Sequence, residues 1–192
     1  MSIVSKVSKL YFKKNLVSLL FSPMTRELMR TDSDQVAVVF KMDMRSNLKI
    51  FTDKERQNLA LHLKMEDMIR TEWLLEDTES GGAPLARVKM NRFKSMAGFG
   101  KEDFTIKHPD GSEWMTLETD SSLGKHILDN MTALYNPSHH YEVKSSGVVV
   151  ARILTKAGFF HQRYDFELVG GSEPEKKVAL AVFAVIALML RK

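Results

Sequence analysis

The chain of 192 residues has no cysteine. Disulfides, thiolate metal sites, a cysteine nucleophile and palmitoylation are excluded together. No Asp or Glu precedes Glu27. The same stretch lacks the long unbroken apolar core and small-residue cleavage site of a secretory signal. Proline is scarce at five residues, and no segment has a linker's composition, so nothing marks off a second globular domain. There is no Gly-x-Ser-x-Gly elbow, P-loop or dinucleotide-binding glycine pattern, and Gly98-Phe99-Gly100 lacks the third glycine. No enzyme is expected from these absences. Basic residues without interleaved aromatics likewise give no nucleic-acid signature.

What is present is ordinary for a globular protein: 44% hydrophobic and 27% charged residues, with a formal charge of +4. That mild excess permits contact with phosphates or anionic lipid without requiring it. The methionines are scattered rather than striped, and Met42, Met44, Met65 and Met68 are expected to fill gaps in the core.

Residues 1–34 read as an amphipathic helical segment. Lys6, Lys9, Lys13 and Lys14 stand among Ile3, Val4, Val7, Leu10, Phe12, Leu16, Leu19 and Leu20, and Pro23 closes the run. Three roles fit it: a helix packed on the domain, an interfacial membrane helix, or a targeting segment. A mitochondrial presequence fits less well, because such segments favour Arg and here the cations are Lys. A cytoplasmic protein, peripheral at a membrane, is the expectation.

From residue 35 to 192 the texture is that of a single β domain. Residues 36–42, 48–51, 59–63, 73–75 and 85–90 are short apolar or alternating runs. They are separated by polar turns such as Thr52-Asp53-Lys54-Glu55 and Gly81-Gly82. Residues 104–106 and 114–117 flank Pro109-Asp110-Gly111, a triplet whose residues preset φ, cap the backbone and supply positive φ in turn. Further strands are expected at 141–143, 148–153 and 164–169. Residues 91–101 read as a connection, and a short helix is expected around 127–134. Successive hairpins of this kind imply an antiparallel meander.

Residues 178–190 are apolar on every side, between Lys176-Lys177 and Arg191-Lys192. A helix without a polar face is enclosed either by protein or by lipid. At about 1.5 Å per residue the run spans about 20 Å, short of the roughly 30 Å bilayer core. A sheet curled around the helix would bury it and close the sheet's own edges. The fold class is therefore mainly β (α+β): a closed antiparallel β-barrel around a central hydrophobic C-terminal helix, with an extra N-terminal helical segment.

The order of these units resembles the tubby-like superfamily, specifically its LURP-one-related and phospholipid-scramblase-like branch. The resemblance rests on Phe104-Thr105-Ile106 with Asp110-Gly111, on Tyr141-Glu142-Val143 with Gly147 and Val150-Ala151-Arg152-Ile153, on Tyr164 to Leu168, and on the closing helix. It implies a barrel of about twelve strands around a C-terminal helix. It also implies a basic phosphoinositide-binding cluster. The calcium-binding acidic loop, lipidated cysteines and proline-rich leader of scramblases have no counterpart here.

Arg87, Lys89, Arg92 and Lys94 alternate along a strand and its exit, so their side chains could share one face and hold a phosphate headgroup. Lys6, Lys9 and Lys13 are the other candidate lipid contacts. His139 and His140 would point to opposite faces of a strand, and with His108, His126 and His161 they form no zinc spacing, so no metal and no cofactor is expected. The acids Asp53, Asp77 and Asp110 fall where turns need them. The expected function is a non-enzymatic binding or adaptor module contacting anionic phospholipid. A tail-anchored protein of phospholipid movement and a small-ligand-binding barrel are the alternatives.

Overall fold

The structure, a computed structural model, describes residues 2–15, 25–30, 32–33, 35–68, 71–91, 103–119, 138–157 and 161–189. A one-turn helix, α1 (Ile3–Lys6), leads into twelve strands. They are β1 (Lys9–Asn15), β2 (Thr25–Arg30), β3 (Val36–Met42), β4 (Leu48–Phe51), β5 (Leu59–Asp67), β6 (Glu72–Asp77), β7 (Ala83–Asn91), β8 (Asp103–Lys107), β9 (Glu113–Thr119), β10 (Ser138–Ser145), β11 (Val148–Ala157) and β12 (His161–Leu168). The chain then enters α2 (Glu173–Met189).

Each strand pairs antiparallel with its neighbours in sequence, and β1 closes the ring by pairing with β12 as well as β2. Closure leaves no unpaired edge. Inside runs α2. From Val178 to Ala187 no residue of α2 is more than 1% exposed, so the all-apolar sequence has the enclosure it requires. Alternation supplies the matching wall. Trp73 and Leu75, Val150 and Phe166, Leu61 and Leu63 are buried at 1% or less, with less buried residues between them. The barrel interior is thus filled by a helix, and the segment that a tail anchor would place in lipid is walled in by strands. No helix among the described residues is long and apolar enough to cross a membrane. The outward strand positions include Lys41, Arg152 and Glu167, the reverse of the apolar band that a lipid-spanning barrel turns outward.

The entry of α2 is built with care. Glu175 accepts hydrogen bonds from the backbone N–H and the hydroxyl of Ser172 at 2.7 and 2.8 Å, the reach-back half of a capping box. Gly171 precedes it at φ +86°, where an added Cβ would stand 3.0–3.1 Å from Glu175 Oε2 and the Val150 methyls. Only glycine fits this turn.

One boundary needs correction. Among the described residues of the expected N-terminal helical segment 1–34, Ile3–Lys6 is helical, whereas Lys9–Asn15 and Thr25–Arg30 are barrel strands. The barrel therefore begins at residue 9 rather than 35. The physical reason is that Ile3, Val7 and Leu10 have the spacing of a helix face while Leu10 and Phe12 have the period-two spacing of a strand, and both of these are buried at 1% or less. Pairing with β12 decides the matter: Leu10 lies opposite Phe166, and Phe12 opposite Tyr164, with their rings stacked at 4.5 Å. That register is invisible in the local sequence. The helix expected around 127–134 and the connection at 92–101 lie outside the described residues, as do residues 190–192.

A second correction concerns the methionines. Met42 is buried at 8% and Met65 packs on the core, but Met44 and Met68 are 92% and 62% exposed. Each lies just beyond a strand end, where the alternation that buries its predecessor no longer holds.

Candidate functional site

The outer surface of the barrel is organised in charged rows that run across the strands. The longest crosses β1, β12, β11, β10 and β9. Lys9 lies opposite Glu167, Glu167 opposite Arg152, Arg152 opposite Glu142, and Glu142 opposite Glu118. The ion pairs follow the register: Lys9–Glu167 at 2.8 Å, Arg152–Glu142 at 3.2 Å, Lys144–Glu142 at 3.4 Å and Lys144–Glu118 at 2.7 Å. This row borders an open groove of about 340 Å³ over Leu10, Tyr141, Ile153 and Phe166. Its three cations are matched by three carboxylates, so it presents no net field to an anion. Lys9, a predicted lipid contact, is occupied by Glu167.

The predicted row on β7 is likewise engaged. Arg87 pairs with Glu66, lies 3.9 Å from Glu72, and donates through Nε to the Pro109 carbonyl at 3.3 Å. Lys89 stands directly opposite Glu72. Arg87 and Lys89 do share the outer face, as alternation requires, but three groups that accept from or attract cations share it with them. Arg92 and Lys94 lie outside the described residues. So do the side chains of Lys6 and Lys13, whose backbones belong to α1 and β1. The N-terminal and β7 candidates are not brought together, since β1 and β7 are six strands apart around a twelve-strand ring.

A third row has a different character. Across β2, β3, β4, β5 and β6 the register aligns Thr25, Lys41, Lys49, His62 and Glu76. Lys41 and Lys49 are therefore directly opposed on the outer face, a like-charge pair of the kind that destabilises a sheet. Neither forms an ion pair among the described residues. Lys64, two residues beyond His62, pairs with Glu76 at 2.7 Å, which takes up that carboxylate. Asp43 feels the charge of Lys49, but its oxygens already accept from the backbone N–H groups of Arg45 and Asn47 at 2.8 and 2.9 Å.

His62 sits at the end of this lysine pair. Its Nδ1 is 3.9 Å from Glu76, and its Nε2 is buried without a hydrogen-bond partner. Burial holds the imidazole below its ordinary pKa, and the charge of Lys49 adds to that, outweighing the opposing pull of Glu76. The ring is neutral at physiological pH. The arrangement can do one thing chemically: offer two ammonium donors and a polarisable ring to an oxyanion lying on the sheet. Sequence reasoning missed it because the two lysines are eight positions apart. They meet only through the Met42–Leu48 register of the hairpin.

The rim where α2 enters holds a fourth cluster, almost dry. Lys177 is 4% exposed at its side chain and contacts Asp77 at 2.8 Å, Glu79 at 3.1 Å and Glu173 at 3.3 Å. Burial works to discharge the ammonium, but hydrogen bonds to Asp77 and Glu79 and the surrounding negative charge raise its pKa above the ordinary lysine value. Burial also pushes Asp77 up, yet the Lys177 and Ser80 hydrogen bonds hold it below the usual carboxylate range. Asp77 has the turn role expected of it, accepting from Glu79 N at 3.1 Å, and a second role that no turn rule supplies. Glu79 in turn accepts from the N–H of Ile3 at 3.0 Å, which fastens α1 to the rim. This cluster joins helix, wall and N-terminus, with Lys177 and Asp77 buried at its centre and Glu173 exposed at its edge.

Asp53 and Asp110 perform the turn roles expected of them, accepting from Gln57 N at 2.8 Å and Ser112 N at 2.9 Å. His108 stacks on Trp114 at 4.2 Å. His140 is exposed on β10; His126 and the side chains of His139 and His161 lie outside the described residues. Among the described residues no group of three His, Asp or Glu is disposed to hold a metal ion. Compared with protein-family models, with curated proteins and with solved structures, the chain matches none.

Proposed function

We propose that this protein is a non-enzymatic binding module of the tubby-like, LURP-one-related and scramblase-like kind, and that it docks on anionic phospholipid through Lys41 and Lys49. The kinship rests on the hairpin order and the enclosed C-terminal helix. The membrane reading rests on a single observation: Lys41 and Lys49 face each other with no carboxylate between them, whereas the cations of the β1–β12–β11–β10 row are each matched. A sheet tolerates such a pair at a cost, and a bound phosphate removes it.

Each lysine near an anionic surface contributes about 1 kcal/mol. Replacing both Lys41 and Lys49 with Ala should therefore weaken binding to phosphatidylserine vesicles roughly thirtyfold. Lys89→Ala should leave binding nearly unchanged, because Glu72 faces it. Flotation of the protein with vesicles in low and in high salt measures both, and the wild-type signal should fade with salt. Binding that is insensitive to Lys41 and Lys49 defeats the assignment.

His62 gives an independent readout. Lys49 helps to hold its pKa down, so an anion that neutralises Lys49 should raise it. Following the imidazole signals by NMR with and without vesicles or soluble phospholipid headgroup tests this, and an unmoved titration curve counts against the site.

A further inference from the structure

We infer that the barrel docks end-on, with Met44 and Met68 entering the hydrocarbon edge of the anionic membrane that Lys41 and Lys49 engage. The inference rests on the docking reading above and adds to it an orientation and an apolar contact. Strand directions place the β3–β4 and β5–β6 connections on the same rim, opposite the rim where α2 enters. Met44 is at the tip of the first and is 92% exposed; Met68 follows β5 into the second and is 62% exposed. A large apolar side chain in water on a projecting turn is an unfavourable arrangement that a membrane interface relieves.

The two tips are held in place. Trp73 is fully buried and donates from its indole to the Ser46 carbonyl at 2.9 Å, while Asn47 Oδ1 accepts from Met65 N at 2.9 Å. The first turn is therefore bolted to the strands that carry the second. Thr71 pins the far side. It is a β-branched residue at φ +56°, 1% exposed, with its carbonyl accepting from Met90 N at 3.0 Å and its hydroxyl without a partner. Backbone strain of this kind persists only where the surroundings over-determine it, and it concentrates at working surfaces.

Charge on the Met44 hairpin favours an anionic surface. Lys41, Arg45 and Lys49 belong to the Met44 hairpin. Of the nearby acids, Asp43 is taken up by backbone N–H groups, Glu66 by Arg87, and Asp67 is also partnered. The opposite rim exposes Val148 and Val169 at 65% and 47%, and its described turns carry the exposed acids Asp32, Glu55 and Asp110 beside the exposed cations Lys54 and Arg56. The basic hairpin around Met44 is what an anionic surface attracts.

The absence of cysteine makes the test clean. Met44→Cys, Met68→Cys and Val148→Cys, each labelled with an environment-sensitive fluorophore, report three exposed positions without disturbing the core. On vesicles of phosphatidylserine and phosphatidylcholine, the labels at 44 and 68 should shift to the blue and be quenched by spin-labelled acyl chains. The label at 148 should keep its emission in water. Replacing Met44 or Met68 with Ser should weaken binding roughly tenfold each, in a part of the affinity that salt does not remove. Protein that cosediments with vesicles while 44 and 68 stay water-like overturns end-on insertion and leaves the lysine site standing. A blue shift at 148 in place of 44 overturns the orientation. No cosedimentation at all overturns both.

Discussion

Phe183→Ala is expected to lower the stability of the barrel by about 3–5 kcal/mol. Phe183 is fully buried on α2, and three walls meet it. Its ring stacks on Phe166 of β12 at 4.8 Å, takes an edge from Phe40 of β3 at 5.8 Å, and lies 6.2 Å from Phe12 of β1. Phe12 in turn stacks on Tyr164. The cluster therefore ties the helix to the seam where the ring closes. Truncation removes the transfer energy of a large ring and leaves a void that a helix held on all sides cannot collapse to fill. Domains of this size are stable by roughly 5–15 kcal/mol, so the loss is a large share of the whole. Urea unfolding followed by circular dichroism measures it, with Val169→Ala as a surface control. A loss below about 1 kcal/mol would mean that α2 is not packed as described.

The second large effect is at Lys177. Replacing it with Met leaves Asp77 buried beside Glu79 and Glu173 with no cation, and breaking a buried pair from one side costs about 3–5 kcal/mol. Adding Asp77→Asn should restore part of that loss, because the amide keeps an acceptor for the Glu79 N–H and removes the stranded charge. The pH dependence has a definite sign. Asp77 is depressed below its ordinary 3.8, so its contribution is present above that pH and is lost as pH falls through the lower folded value. Lys177 is raised above its ordinary 10.5, so its contribution is complete below that pH and is lost only at higher pH. Between these limits wild-type stability should be nearly flat as far as this pair is concerned. In Lys177→Met the Lys177 hydrogen bond and charge no longer oppose burial, so the Asp77 pKa rises from its wild-type value with Ser80 still holding it down. The deficit of the variant should then be greatest near neutrality and shrink as acid protonates the carboxylate. Unfolding free energies at pH 7 and pH 4 compare the two, and a deficit that grows in acid contradicts the pairing.

The two effects bear on how much of the molecule could be read from its residues. The apolar circumference of residues 178–190, too short for a bilayer and preceded by successive hairpins, was sufficient to place a helix inside a sheet. The turn chemistry of Pro109-Asp110-Gly111 and Gly81-Gly82 located hairpins correctly, since those residues act locally. What depended on distant partners was not legible. Leu10 continues the helical spacing of Ile3 and Val7 and also begins a strand alternation with Phe12, and only β12 chooses between them. Arg87 and Lys89 were rightly placed on one face, but Glu66, Glu72 and Pro109, which occupy that face, come from three other segments. Lys41 and Lys49 went unnoticed because charge was followed along strands, while a hairpin brings charge together across them. Met44 and Met68 were assigned to the core by residue type, where strand boundaries decided otherwise.

The closing contact between β1 and β12 also has a kinetic meaning. The wall is made of neighbours in sequence, yet the ring cannot seal until its first strand finds its twelfth. The helix that fills the ring is synthesised after every strand that surrounds it. The sheet must therefore remain open, with its apolar inner face wet, until α2 arrives, and shutting the ring and threading it become one event. Long-range closure of this kind is slow and leaves the incomplete chain prone to association. Once shut, the same coupling means that α2 cannot leave without opening the seam. Slow, all-or-none unfolding is the consequence, with no fragment of the barrel stable by itself.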